Sequence, residues 1–268
     1  MKVDLVMWAK NGASMLPSVL KRVEEVIPSE VIKKKIFVDD HSTDNSKEIA
    51  KDFGWEVYPN EKGGVGCGAN TALRHVECEY FISFEQDVLL AKDWFEKIPK
   101  HLKRNDVAVA QGWRYPDHQV LRKIEEFAFE KSGFNLNSID NTIYKTRIIK
   151  SVGGFLEDIR YGAVDTHLRR RLEHLGYRWI IDPSVISIHL RKGGLKEEVR
   201  RFYFYGLYAP WEEGPFIAET KRFRAVRIAL TSPFRAFEIA IRKGCPQALY
   251  YYPLIRFAFM TGALKRGV

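Results

Sequence analysis

Ile36-Phe37-Val38-Asp39-Asp40-His41-Ser42-Thr43-Asp44 is the stretch on which the fold turns. Three apolar residues run straight into two carboxylates, which reads as a buried strand ending abruptly in a polar turn. Upstream, Val3-Asp4-Leu5-Val6-Met7-Trp8 is a second apolar run, split only by Asp4. Between the two runs, Leu16, Val19, Leu20, Val23 and Val26 recur at helical spacing. After the carboxylates a helix is expected from about Ser46, with Asp44 or Asn45 as its N-cap.

The same alternation continues outward. Trp55–Tyr58 reads as a short strand, 69–77 as a helix entered from a glycine-rich turn, and Tyr80–Phe84 as a buried strand stopping at Glu85-Gln86-Asp87. Residues 92–103 look helical and Val107–Ala110 extended. Repeated units of this kind predict an α/β fold, Rossmann-like, with a mostly parallel sheet and helices on both faces. Past Gly112 the rhythm loosens. A helix is expected over 119–131 and another near Asp165, with strands at Arg178–Ile181 and Val185–Ile188 around Asp182-Pro183-Ser184.

Charge divides the chain more sharply than pattern does. Residues 191–268 hold 15 Lys/Arg against 6 Asp/Glu, whereas 1–190 hold 28 of each. Two domains are therefore expected: a catalytic body over 1–190 and a basic, aromatic helical tail over 191–268. With 46% hydrophobic and 29% charged residues the composition excludes a disordered chain. Three cysteines without a CxxC pair offer no structural zinc site and fit a reducing compartment. The first residues lack the features of a signal peptide, and no run reaches the roughly 18 apolar residues of a membrane span. The expectation is a cytosolic protein whose tail can sit peripherally at the inner face of the cell membrane.

Two strand ends carry acids, and in open α/β sheets ligands bind beyond the carboxyl ends of strands. Acids beside a phosphate repel it unless a divalent cation lies between, so Asp39-Asp40 and Glu85-Gln86-Asp87 together point to Mg²⁺ or Mn²⁺ and a diphosphate. Turn chemistry alone also favours Asp and Ser after a strand; it is the joint occurrence at two matching ends that favours a site. Hard oxygen ligands argue against zinc. Glycines 63, 64, 66 and 68 suggest a mobile loop with close backbone approach, with no complete Walker or Gly-x-Gly-x-x-Gly motif.

Trp8-Ala9-Lys10-Asn11 followed by Val38–Asp44, then Asn60, Gly63-Gly64 and Ala69-Asn70, then Phe84-Glu85-Gln86-Asp87, then Gly153-Gly154-Phe155, and last Asp165, Arg171 and Gly176-Tyr177, form an ordered set. It resembles the inverting family-2 glycosyltransferases of GT-A fold over roughly residues 1–190. The resemblance implies transfer from a nucleoside-diphosphate sugar with Mn²⁺ or Mg²⁺ as cofactor. It implies that Asp40, with Asp39, holds the base or ribose, that Glu85 contacts the ribose or supports the metal, and that Asn11 and Asn70 belong to the nucleotide site. Asp87 and His189 would then be metal ligands and Asp165 the general base, with Glu157 and Asp158 the nearest competitors. The chain departs from the pattern at Glu85, where Asp is usual, at Val164, where Glu is usual, and at Trp8 and Lys10. Arg169, Arg170 and Arg171 point in three directions on a helix, so they form no single phosphate clamp; one of them is expected to pack and pair with a carboxylate.

In the tail, Ser232-Pro233 reads as a helix start and Gly244 as its stop, with Phe234, Phe237 and Ile241 on one face. Lys221, Arg222, Arg224 and Arg227 precede it, and Leu249–Ile255 leads into Arg256 and Phe257–Met260. Aromatics beside basic residues suit an anionic membrane surface, and equally helices that cover a core or make a dimer contact. The acceptor is accordingly expected to be a hydroxyl or phosphate group on a lipid phosphate, lipid-linked saccharide or membrane glycan, with no nucleic acid partner. Two rival readings stay open from sequence: a sugar-phosphate nucleotidyltransferase, and a non-catalytic membrane- or nucleic-acid-binding protein on a degenerate transferase scaffold.

Overall fold

Side chains leave opposite faces of a strand in turn, and β1 (Val3–Ala9) uses this to organise two layers. Val3, Leu5, Met7 and Ala9 join one apolar cluster, while Val6 and Trp8 join another on the reverse face. The first cluster is closed by α1 (Leu16–Val26), whose Leu16, Val19, Leu20 and Val23 are buried at the spacing read from sequence. β2 (Ile32–Asp39) and α2 (Ser46–Asp52, with Asn45 at its N-cap position) follow, then β3 (Glu56–Pro59). The second cluster is covered by α3 (Val65–His75) through Ala69, Ala72 and Leu73. Asp4, which interrupts the first apolar run, is buried, and its Oδ2 accepts the Glu77 and Cys78 amides at 2.7 and 2.8 Å.

The computed structural model describes residues 1–132, 137–158, 164–191, 193–208 and 215–265. The side chains of Lys221 and Arg222 lie outside what is described. β4 (Tyr80–Phe84), β5 (Val88–Leu89), α4 (Trp94–Lys97), β6 (Val107–Pro116), α5 (Gln119–Ser132), β7 (Asn141–Lys145), α6 (Thr146–Ser151), α7 (Val164–His174) and β8 (Arg178–His189) complete the order to residue 190. The eight-stranded sheet runs β3-β2-β1-β4-β7-β6-β8-β5. β3, β2, β1 and β4 are parallel, whereas β7 pairs antiparallel with β4 and β6, and β5 antiparallel with β8.

Four elements differ from expectation for local reasons. The helix at 92–103 is α4 followed by a 3₁₀ stretch, Ile98–Lys103, because Pro99 removes a donor from the ladder. β8 is one strand rather than two. Asp182 Oδ1 accepts from the Ser184 amide at 2.9 Å and hydroxyl at 2.6 Å, so the chain bends at Pro183 without ending the strand. α3 starts at Val65, placing Gly66 and Gly68 inside the helix rather than in a loop. A Cβ at Gly66 would lie 1.9 Å from the Leu156 carbonyl oxygen, and one at Gly68 3.0 Å from Trp8 Cβ, so these glycines permit close packing. β7 had no apolar alternation to announce it: Asn141 and Thr142 are buried polar residues.

Two compact units result. The first comprises Met1–Tyr115, Leu136–Arg160 and Val164–Leu190. The second takes in α5 as well as the chain from Arg191 onward, with α8 (Leu195–Tyr208), α9 (Pro215–Leu230), α10 (Ser232–Arg242) and α11 (Ala248–Lys265). Its core gathers Leu121, Ile124 and Phe127 of α5, Ala236 and Ile239 of α10, and Tyr251, Tyr252 and Ile255 of α11. α8 and α11 meet at paired glycines. A Cβ at Gly206 would sit 2.0 Å from the Phe259 carbonyl oxygen, and one at Gly262 the same distance from that of Tyr203.

Candidate active site

Three parallel strands end level with one another. Ala9 lies opposite Asp39 and Met7 opposite Phe84, so the turns after β1, β2 and β4 share one edge of the sheet. Side chains lock those turns together. Asn11, at φ 51°, accepts from the Thr43 amide at 2.8 Å, and its own amide donates to Ser42 Oγ at 3.0 Å. Asp44 accepts from the Ala13 amide at 3.0 Å. Gln86 grips Lys10 both ways, accepting from its amide at 2.9 Å and donating to its carbonyl at 3.1 Å.

The two acids after β2 stand in different settings. Asp39 is buried; its Oδ2 accepts the Ser42 amide at 3.2 Å, while Oδ1 has no hydrogen-bond partner among the described residues. Asp40 Oδ1 accepts from Asn60 Nδ2 at 2.7 Å and from the Gly64 amide at 3.1 Å, tying the strand end to the entry of α3. Asn70 faces the polypeptide: it donates to the Phe155 carbonyl at 2.7 Å and to Glu157 at 3.2 Å, and accepts the Phe155 amide at 2.8 Å. Asn11 and Asn70 thus hold backbone around the edge of the site.

Antiparallel pairing assembles the other side. Val88 lies opposite His189, and the Leu190 amide donates to the Asp87 carbonyl at 2.7 Å. Glu85, Asp87 and His189 consequently each present a ligand atom within 4.8 Å of one another. His189 Nε2 stands 3.2 Å from Asp87 Oδ2, and Arg114 lies beside its Nδ1. Arg114 also pairs with the buried Asp140. Burial, with Asp140 and Asp87 beside it, pushes the Glu85 carboxyl well above the ordinary range. Such a crowd of carboxylates fits a hard divalent cation: two oxygen donors and an imidazole suit Mn²⁺ or Mg²⁺, and the charge of the ion offsets their repulsion.

Asp165 opens α7. Burial pushes its carboxyl up to about 6, against the pull of the Thr166 amide, 2.7 Å away, and of Arg114. Asp165 in turn raises Glu85, so the two belong to one electrostatic cluster. The competitor Glu157 is held differently. Lys62, at 2.8 Å, and Asn70 pull its carboxyl below the ordinary range. α7 is fastened by Arg171, which donates to the Val152 and Gly154 carbonyls at 2.7 and 2.6 Å, while Arg169 pairs with Glu173.

Sequence reasoning passed over Gln86, Arg114 and Asp140. For Arg114 a signal existed, a charge inside the extended run that begins at Val107; for Asp140 there was none, because its partner is 26 residues away in the chain.

The family model Glycosyl transferase family 2 matches residues 4–155. No curated protein sequence matches significantly. Among solved structures, the mannosyltransferase PcManGT from Pyrobaculum calidifontis, in complex with GDP-Man and Mn²⁺, superposes with a TM-score of 0.70 at 19% identity, covering 99% of this chain and 86% of its own. Glucosyl-3-phosphoglycerate synthase from Mycobacterium tuberculosis, with Mn²⁺, UDP and phosphoglyceric acid, gives 0.54 at 15% identity, over 73% and 72% of the two chains. TarS of S. aureus gives 0.54 at 16%, over 87% of this chain and 44% of its own. At these identities the likeness establishes the fold, a GT-A type α/β sheet with C-terminal helices.

Proposed function

The chain belongs to glycosyl transferase family 2, and from that premise we propose an inverting, cation-dependent transfer from a nucleoside-diphosphate sugar, carried out in the first unit. The observation that carries this reading is the meeting of Glu85, Asp87 and His189 in one cluster with Asp165 at the edge where the strands end. Asp87 and His189, with Glu85 beside them, would hold Mn²⁺ or Mg²⁺, whose positive charge would favour departure of a diphosphate. Asp39 and Asp40 receive the nucleoside. The Asp39 Oδ1 atom, buried without a partner among the described residues, is an acceptor ready for a base or ribose donor. Asn11, Asn70 and Gln86 act as positioning residues, keeping the turns in register with the carboxylates.

Asp165 is the group that takes the acceptor proton. A base works best with a pKa near the operating pH, and burial brings Asp165 to about 6, whereas Glu157 is fixed as an ion by Lys62. The acceptor is a hydroxyl or phosphate group on a lipid-linked or membrane glycan substrate, a reading supported by the basic, aromatic second unit. The PcManGT and synthase complexes, with GDP-Man and UDP, support a sugar-nucleotide donor of one of these classes.

Thermal-shift measurements with UDP-, GDP- and dTDP-sugars, with and without Mn²⁺, test the proposal. One donor should raise Tm by mass action, more with Mn²⁺ than without. Asp87→Asn should remove the Mn²⁺-dependent part. Failure of every sugar nucleotide to stabilise the protein, with or without the cation, overturns the reading.

A further inference from the structure

α10 is apolar on two sides. Ser232, Ala236 and Ile239 are buried in the core of the second unit, as an amphipathic helix requires. Yet Phe234, Phe237 and Ile241 are 80%, 61% and 66% exposed, and Leu230, the last residue of α9, is 62% exposed. Spacings of three and four put Phe234, Phe237 and Ile241 on one face of α10, away from the core, over about 10 Å at 1.5 Å per residue. α11 has a similar exposed row in Tyr250, Leu254, Phe257 and Leu264. A contiguous apolar surface of this kind marks an interaction site.

The charges say what covers it. From residue 223 to 265 there are seven Lys/Arg and a single acid, Glu238. Arg224, Arg227, Arg235 and Arg242 are all exposed beside the stripe. A second copy of the chain would set this basic rim against itself, since a two-fold contact repeats one patch on both partners. An anionic lipid surface complements both features: aromatic and aliphatic side chains enter the head-group layer while arginines meet the phosphates. No described helix is long and apolar enough to cross a membrane, so the contact lies in the plane of the interface. We infer that the face of α10 formed by Phe234, Phe237 and Ile241 docks the protein on an anionic phospholipid membrane. This deepens the lipid-linked acceptor reading and rests on it only for its purpose.

Co-sedimentation of the full chain with vesicles of phosphatidylcholine alone, or of phosphatidylcholine mixed with phosphatidylglycerol, tests it. The protein should pellet with the mixed vesicles and be released by salt. Phe234→Ser/Phe237→Ser, whose sites are exposed and should leave folding intact, should lower the bound fraction about ten-fold or more. Arg235→Glu/Arg242→Glu should weaken binding to the mixed vesicles as well. Wild-type protein left in the supernatant, or equal binding by the Phe double variant, overturns the inference. So does sedimentation velocity showing a dimer that the double variant abolishes, without vesicle binding. Donor-dependent thermal shifts recorded on the same preparations keep failure of docking distinct from failure of the transferase reading.

Discussion

The two units put opposite chemistry to opposite use. The first draws acids inward: Glu85, Asp87, Asp140 and Asp165 crowd together, with Arg114 and His189 among them. The second turns apolar side chains outward and surrounds them with arginines. Each arrangement is costly for an isolated fold, because buried like charges repel and exposed aromatics forgo burial. Such local conflicts are expected where function, rather than stability, selects the residue. On the proposed reading, the difference is that the first unit would receive a cation and phosphates, and the second an extended anionic surface.

Breaking the acidic centre should have the largest effect. Asp165→Asn removes the proposed proton acceptor and should lower transfer about 10²- to 10⁴-fold, with donor affinity in calorimetry unchanged; full turnover would end its role as base. The same carboxyl sets a pH dependence. A base must be ionised, so kcat/KM should fall ten-fold per unit below pH about 6 and level off above it. Linkage has a definite sign here. Asp165 takes up a proton more readily in the fold than in the unfolded chain, so its contribution to stability is present below pH 3.8 and is lost as pH rises through about 6. Asp165→Asn should therefore raise Tm relative to wild type near pH 7 while lowering transfer, an outcome a structural carboxylate would not give.

Smaller effects sharpen the contrast. Asn70→Ala strips partners from the Phe155 amide and carbonyl and should cost about 1–3 kcal/mol in urea unfolding. Phe234→Ser, at a side chain four-fifths exposed, should change stability by no more than about 0.5 kcal/mol. A large loss of stability there would mean that the second unit uses this face for its own packing.

Much of the parallel half was legible in advance. β1, β2, β4 and α1 follow from apolar runs and helical spacing, and the acids at the strand ends from their abrupt stops. The antiparallel half was not. β7 is polar in sequence because its hydrogen bonds are satisfied by burial partners such as Trp94, whose Nε1 donates to the Asn141 carbonyl at 3.0 Å. Gln86 looked like filler between two acids, yet its amide closes on Lys10, 76 residues earlier. Its role depends on two strand ends standing level, which neither segment records alone.

From the residues alone came the alternation of strands and helices, the carboxylates at the strand ends and the neutral body with its basic tail, because these depend on local pattern and count. Tertiary structure decided how the two candidate carboxyls titrate. Glu157 and Asp165 lie eight residues apart and look alike in sequence. One finds Lys62 and stays ionised; the other is desolvated in the cluster with Arg114, Asp140 and Glu85 and holds its proton to about 6. A carboxyl titrates according to the charges and solvent around it in space, and only folding brings those neighbours together.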